Sequence, residues 1–383
     1  MNPAPMDPAL PRGLSFDPDV IARQVYLLPD GLLSGPAAAA MAESGRALRL
    51  AGGPAAFTAV RLLLRAAETG PVAAFPMLLG ELRAWAAAAG APVAAHVDGL
   101  LARIAAPRAP FAGLDLSAPR IMGILNVTPD SFSDGGDFVD ASAAISHGLA
   151  LRAAGADIVD IGGESTRPGS EPVPVEEELR RVLPVAEALA REGVLVSIDS
   201  RRAAVMRAAL AAGACIVNDV TALAGDPDSL AVAVESGAAV VLMHMQGEPR
   251  SMQRDPTYRH APADIYDVLA DRVAACRRAG IAPGNIAVDP GIGFGKTLGH
   301  NLQLLDGLAL FAGLGSAVML GVSRKGFIGR VAGVAEPKER LPGSLAAGLA
   351  GLDRGAQLLR VHDVAETRQA VAVRNAILAG DAG

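Results

Sequence analysis

The sequence predicts an α/β fold: a closed (β/α)8 (TIM) barrel preceded by a mostly helical N-terminal extension. Three observations predict it. From about Pro119 onward, short apolar runs alternate with amphipathic stretches of helical spacing, the pattern of βα units on a parallel sheet. Eight such runs fit into residues 119–383, close to the roughly 250 residues that a closed barrel of this kind needs. Hydrophobic residues make up 51% of the 383 and charged residues 19%, so a large core is available and composition makes no case for disorder. A doubly wound open sheet is the structural alternative.

The extension, residues 1–115, is rich in Ala, Arg and Leu and contains no Lys. Val25–Leu28 reads as one short strand. Thr58–Glu68 and Phe75–Ala89 carry helical spacing. Ala105–Phe111 reads as a linker, because Pro107 and Pro110 discourage helix. No catalytic constellation stands out, so the role of this part is open. The barrel runs are Ile121–Leu125, Ile158–Ile161, Val194–Ile198, Cys215–Val217, Ala239–Met243, Ile286–Val288, Ala317–Leu320 and Leu358–Val361. Helix-like stretches between them include Ala141–Ala154, Val175–Arg191, Arg201–Ala212, Ala263–Ala279 and Asn301–Phe311.

Charge and cysteine content exclude several function classes. A net charge of -6 argues against a nucleic-acid binder working by bulk positive charge, so an anionic ligand would need a local cluster. No apolar run reaches the roughly 18 residues of a membrane span, and the Pro-rich start lacks a signal-peptide core. Two cysteines, Cys215 and Cys276, make neither a disulfide framework nor a zinc site. The expectation is a cytoplasmic protein with small-molecule substrates and neither nucleic acid nor membrane as partner.

Parallel barrels place ligands at the carboxyl ends of their strands. Just past the eight runs stand Asn126, Glu164 with Thr166 and Arg167, Asp199, Asn218, His244, Asp289, Ser323 with Lys325, and Arg360 with His362. Eight polar ends converging on one mouth make a functional site there the default. Only three of the 34 basic residues are Lys (Lys296, Lys325 and Lys338), so a Lys in this ring points to a use for a compact ammonium. Asp199, Asn218, Asp289 and Lys325 mix donors and acceptors in a way that suits a flat heterocycle with several N–H and carbonyl edges. Asp199-Ser200-Arg201-Arg202 also reads as an N-cap of the next helix, and both roles can coexist. Asn126, Arg360 and His362 form an anion-friendly subset, in which an Asn carbonyl and water would suffice for Mg²⁺ beside phosphates.

Two segments dense in Gly, Pro, Ser and Asp read as lids, Thr128–Gly136 with Phe132 and Glu164–Pro172 with Arg167. Asp289-Pro-Gly-Ile-Gly-Phe-Gly-Lys-Thr nearly matches a phosphate-binding loop. Pro290, however, stands where the G-x-x-x-x-G-K-[ST] pattern needs its first Gly, and it removes a backbone donor.

Ile124-Leu-Asn-Val-Thr-Pro-Asp-Ser-Phe-Ser-Asp-Gly-Gly and Asp160-Ile-Gly-Gly-Glu-Ser-Thr-Arg-Pro-Gly-Ser closely resemble the two signatures of the dihydropteroate synthase family of pterin-binding barrels. Ser197-Ile-Asp-Ser, Val217-Asn-Asp-Val, Asp289-Pro-Gly-Ile-Gly-Phe-Gly-Lys, Gly321-Val-Ser-Arg-Lys and Arg360-Val-His-Asp continue the match in order, over about residues 119–375. Composition and spacing alone name no substrate. The resemblance implies a folate-pathway transferase that condenses 6-hydroxymethyl-7,8-dihydropterin diphosphate with 4-aminobenzoate, giving 7,8-dihydropteroate and diphosphate, and that is a target of sulfonamides. It further implies that Asp199, Asn218, Asp289 and Lys325 clamp the pterin, with Met243 and Phe294 on its faces. Asn126, Arg360 and His362 would hold diphosphate, and Asn126 also Mg²⁺. Phe132, Thr166, Arg167, Pro168 and Ser323 would form the aminobenzoate pocket, with Asp199, Lys325, Arg360 and His362 serving catalysis. A homodimer through outer helices late in the barrel is implied as well. The rival readings are a pterin-dependent methyltransferase, which has no use for the aminobenzoate residues, and a non-catalytic pterin-binding paralogue, which has none for the diphosphate residues.

Overall fold

A computed structural model describes residues 21–65, 70–128, 137–165, 173–248 and 250–380. Eight strands close a parallel barrel: β5 (Arg120–Asn126), β6 (Ile158–Gly162), β7 (Val196–Asp199), β8 (Ile216–Asp219), β9 (Ala239–Met243), β10 (Ile286–Asp289), β11 (Ala317–Leu320) and β12 (Leu358–Val361), with β12 pairing back to β5. These strands are short and buried on both faces, which is why they read as continuous apolar runs rather than as alternation. Each predicted run lies on a strand, within the boundary scatter of such assignments.

The helices cover the barrel from outside: α4 (Asp137–Ala153), α5 (Val175–Arg191), α6 (Ala203–Ala211), α7 (Ser229–Ser236), α8 (Ala261–Arg278), α9 (Leu298–Asp306), α10 (Gly326–Ala332), α11 (Leu341–Asp353) and α12 (Val364–Ala379). Helix α5 shows why its range was legible. Val182, Val185, Ala186 and Leu189 are buried at helical spacing, Glu176, Glu177 and Glu178 fill its first turn and Arg191 its last, matching the helix dipole. The stretch expected as helix over Asn301–Phe311 is divided between α9 and a 3₁₀ segment, Leu308–Leu314.

The N-terminal part departs from the expectation of a mostly helical extension. It contains a four-stranded antiparallel sheet of β1 (Val25–Leu33), β2 (Leu48–Arg49), β3 (Ala56–Arg65) and β4 (Val72–Leu78), with α1 (Gly35–Glu43), α2 (Leu79–Ala89) and α3 (Ala91–Ala105). Thr58–Arg65, read as helix, is most of the central strand β3, which pairs with β1 on one edge and with β2 and β4 on the other. The cause is burial. Leu62, Leu63, Leu64 and Arg65 are all buried, so the alternation that marks a half-exposed strand is missing. Phe75–Ala89 is helical in its larger part, α2, while its first four residues end β4.

This unit is packed onto the barrel. Strand β1 and helix α3 lie against the 3₁₀ segment, every residue of which is buried. The Tyr26 ring meets Tyr266 of α8 edge-on, with centroids 5.7 Å apart. The expected linker leads into a plug. Phe111 and Leu116 are buried against Met122, Ile158, Ile216, Ala239, Ala287, Ala317 and Leu358, most of which lie at the amino ends of the barrel strands. Among the described residues no helix is long and apolar enough to cross a membrane.

Candidate active site at the carboxyl ends of the barrel strands

The centre of the mouth is an ionic cluster. Arg360, near the end of β12, donates from Nε to Asp160 Oδ2 at 2.7 Å and from Nη2 to Asp199 Oδ2 at 2.6 Å. Asn218 of β8 donates to the same Asp160 oxygen at 2.9 Å. Two carboxylates on neighbouring strands are thus held by one guanidinium, which burial alone would weaken as a cation but which Asp160 and Asp199 hold firmly protonated. Burial raises Asp199 to about 7; Arg360 pulls it down and Asp160 pushes it back up. A side chain at Gly162 would stand 3.8 Å from Asp199 Oδ2 and 3.9 Å from Asn126 Oδ1, so the Asn126 carboxamide belongs to the same cluster.

Beside it lies a second acid–base pair. Asp289, closing β10, is buried, accepts the Gly291 N–H at 2.7 Å, and is raised by burial against the pull of Lys325. Burial lowers the Lys325 ammonium to about 8, with Asp289 holding it up. Lys325 donates to the Ile292 carbonyl, and its Nζ stands 4.7 Å from the centre of the Phe294 ring. A side chain at Gly321, just past β11, would come within 3.6 Å of Asp289 Oδ2, 3.8 Å of Lys325 Nζ and 3.9 Å of Arg360 Cβ, so the absent side chain leaves room where the three converge. Met243 pairs in register with Asp289 and supplies an apolar neighbour.

The rim carries further polar pairs. Ser323 Oγ and His362 Nδ1 are 3.0 Å apart, and the His362 N–H donates to the same hydroxyl at 3.2 Å. Arg324, in the left-handed region at φ 59, forms an ion pair with Asp363 through Nε at 3.0 Å. Glu164 is engaged by Arg201 at 3.3 Å and Arg202 at 3.1 Å and accepts the Val173 N–H, so it braces the rim.

The segment resembling a phosphate loop has a different use for its glycines. A Cβ on Gly291 would lie 2.0 Å from the His244 carbonyl oxygen, and one on Gly295 would lie 2.4 Å from that of Gln246. Both have positive φ, 70 and 59. The glycines therefore let this loop press backbone to backbone on the loop after β9. Lys296 is buried beneath it, and its Nζ donates to the carbonyls of Phe294 at 2.8 Å and His244 at 3.2 Å, with His244 Nδ1 also at 3.2 Å. Burial drives its ammonium well below the ordinary lysine range, although Asp289 opposes this. Burial, aided by Lys296, pushes His244 down to about 3.

Asn126, Asp199, Asn218, Asp289, Ser323, Lys325, Arg360 and His362 thus gather at one end of the barrel, with Met243 and Phe294 among them. Phe132, Thr166, Arg167 and Pro168 lie outside the described residues. Asp199 does not cap the next helix: the Ala203 N–H goes to Asp226 at 2.9 Å. Two residues were missed. Asp160 sits inside an apolar run, and a carboxylate there was itself the signal. Lys296 lies in the segment whose phosphate-loop pattern Pro290 breaks, and a scarce Lys directly after a glycine was the clue. His244, expected at the mouth, is buried in the support of the Gly291–Lys296 loop. Among the described residues no three His, Cys, Asp or Glu side chains group as a metal site. The oxygen donors at Asn126 and Asp199 suit a hard cation that keeps water and phosphate among its ligands.

A parallel barrel with buried, paired acids and cations at its carboxyl end defines an enzyme that works on a polar, charge-bearing small molecule. Residues 122–362 match the family described as pterin binding enzyme. The dihydropteroate synthase of Escherichia coli (strain K12) is 48% identical over 266 residues, 69% of this chain and 94% of that one. Among solved structures, the Xanthomonas albilineans dihydropteroate synthase with 4-aminobenzoic acid is 49% identical with a TM-score of 0.66, covering 70% of this chain and 97% of that one. The Yersinia pestis dihydropteroate synthase in a sulfonamide drug complex is 44% identical with a TM-score of 0.65, covering 69% and 96%. The chain belongs to the pterin-binding enzymes and, among them, to the dihydropteroate synthase family of transferases in folate biosynthesis.

Proposed function

We propose that the chain condenses 6-hydroxymethyl-7,8-dihydropterin diphosphate with 4-aminobenzoate, forming 7,8-dihydropteroate and releasing diphosphate. The observation that carries this reading is the Asp160–Arg360–Asp199 cluster, flanked by Asn218, Asp289 and Lys325, in a chain of this family. In this reading Asp199, Asn218, Asp289 and Lys325 meet the polar edges of the pterin, while Met243 and Phe294 cover its faces. Ser323, with Phe132, Thr166, Arg167 and Pro168, receives 4-aminobenzoate, and sulfonamides compete there. Asn126, Arg360 and His362 receive diphosphate; Arg360 commits Nε and Nη2 to carboxylates and keeps its remaining donors for phosphate oxygens.

The methylene–oxygen bond to diphosphate breaks first, and its electron pair leaves with the anion. The positive charge left on the methylene spreads into the pterin ring, where the Asp199 carboxylate stabilises it. Arg360 and His362 stabilise the departing anion. The weakly nucleophilic aniline nitrogen then forms the carbon–nitrogen bond and gives up its proton to the released diphosphate or to water. No covalent bond to the protein is made. Asn126 would hold Mg²⁺ through its carbonyl, alongside phosphate and water oxygens, and the bound ion supplies charge neutralisation to the diphosphate. A cytoplasmic location, expected from the sequence, and a homodimer through late outer helices, implied by the family resemblance, belong to the same reading.

The test is diphosphate release measured with and without 4-aminobenzoate, in the full chain and in Asp199→Asn. Release that depends on 4-aminobenzoate, and a turnover loss in Asp199→Asn far larger than its loss of pterin affinity, are expected. Unchanged turnover in that variant would reject the role of Asp199, and absence of release would return the chain to a non-catalytic pterin binder.

A further inference from the structure

Arg65 closes β3 where the N-terminal unit meets α8, and its side chain is only 5% exposed. It donates from Nη2 to Asp264 Oδ1 and from Nη1 to Asp267 Oδ2, both at 2.7 Å. Asp267 serves the docking alone, since its other partner is the Tyr26 hydroxyl at 2.9 Å. Asp264 does more. Its second oxygen accepts the N–H groups of Arg259 at 2.8 Å and His260 at 3.1 Å, the two residues that follow Tyr258 in the loop between β9 and α8.

That loop lies on the one beneath the pterin face. Tyr258 donates to the Gly295 carbonyl at 2.8 Å, and Gln253 donates to that of Gly293 at 2.6 Å. The Tyr258 ring centre is 5.9 Å from Lys296 Nζ, which holds the Phe294 carbonyl, and the Phe294 ring faces Lys325. All these ionic contacts reach helices, Arg61 on Asp306 of α9 and Arg23 on Asp271 of α8, but Asp264 is in the first turn of α8 and also accepts from the loop that precedes it.

We infer that Arg65 is a positioning residue for the pterin end of the active site: by holding Asp264 it fixes the loop carrying Tyr258, and Tyr258 seats the Gly291–Lys296 segment that presents Phe294. The inference rests on the pterin assignment above. It gives the N-terminal unit a part in catalysis beyond covering the barrel.

The experiment compares the full chain with Arg65→Gln, Tyr258→Phe, their double variant and Asp267→Asn, reading KM for each substrate and the melting temperature. Arg65→Gln and Tyr258→Phe should each raise KM for the pterin diphosphate about fivefold, the worth of one hydrogen bond, with KM for 4-aminobenzoate unchanged. The double variant should be no worse than the weaker single variant, because both act along one path. Asp267→Asn loosens the same interface and should lower the melting temperature without moving either KM. A drop in melting temperature alone for Arg65→Gln, multiplying effects in the double variant, or an equal KM change in Asp267→Asn would each overturn the inference. If Arg65→Gln does not fold, Asp264→Ala removes the Arg65–Asp264–loop link and is read in the same way. Failure of the unsubstituted chain to form dihydropteroate would overturn the functional reading itself.

Discussion

Asp199 and Lys325 set opposite demands on pH. Asp199 is raised to about 7, chiefly by burial, so its charge is lost as pH falls through that value. Lys325 is lowered to about 8, again chiefly by burial, so its charge is lost as pH rises through that value. A mechanism needing carboxylate and ammonium together gives a bell-shaped kcat/KM with a narrow top between the two. Asp199→Asn should remove the acid limb and keep the alkaline one; an acid limb that persists would assign it to another group. Stability leans the other way. The folded chain holds a proton on Asp199 that the unfolded chain, with an ordinary carboxyl near about 3.9, gives up. That contribution is complete below the unfolded value and lost as pH rises toward about 7, so the charge that serves the reaction is carried at the expense of the fold. The residues of this site were legible where they follow an apolar run, as Asp199 and Asp289 do at the last position of their strands and Lys325 in the loop after β11. Asp160 was visible only as a carboxylate inside an apolar run, and its purpose shows once Arg360, distant in sequence, is placed beside it.

At the scale of elements, the barrel strands were legible because each apolar run is bounded by turn residues and followed by a helix. Strand β3 was not, since its buried run Leu62–Arg65 satisfies helical and extended spacing alike and only its partners β1 and β4 decide. The loop after β10 shows a motif whose residues were visible and whose purpose was not. Its glycines look like a phosphate cradle, yet two of them are fixed by the close approach of the loop after β9. Gly291→Ala therefore brings a Cβ to 2.0 Å from a backbone carbonyl at a φ of 70. It should lower the free energy of unfolding by more than about 1 kcal/mol and weaken pterin binding as Phe294 shifts. Gly80→Ala is the matched control: it is exposed in α2 with nothing within 4 Å of an added Cβ. There the helix should gain about 0.5–1 kcal/mol. Denaturant titration of the pair decides, and equal effects would reject the close-approach account.

For the whole molecule, the change in composition near residue 115 gives an expected boundary between the units but not what the join does. Two consequences follow from it. The 3₁₀ segment Leu308–Leu314 is an apolar strip on the outside of the barrel, and it is buried because β1 and α3 lie on it. Phe111 and Leu116 belong to the closing segment between the units, and Phe111 is fully buried at the base of the barrel. A chain shortened to begin at Ala106 keeps the plug and exposes the strip; one that begins at Gly113 exposes the strip and also loses Phe111 from the plug. The first should melt at a lower temperature than the full chain and associate, because Leu310, Phe311 and Tyr266 become surface. The second should be weaker by a further 3–5 kcal/mol, about what removal of a buried Phe side chain costs, and Phe111→Ala in the full chain should show that part alone. Calorimetry with light scattering on the four chains separates the contributions. A chain from Gly113 that melts with the full protein would mean that the barrel closes its own base and that the N-terminal unit rests on a surface the barrel does not need covered.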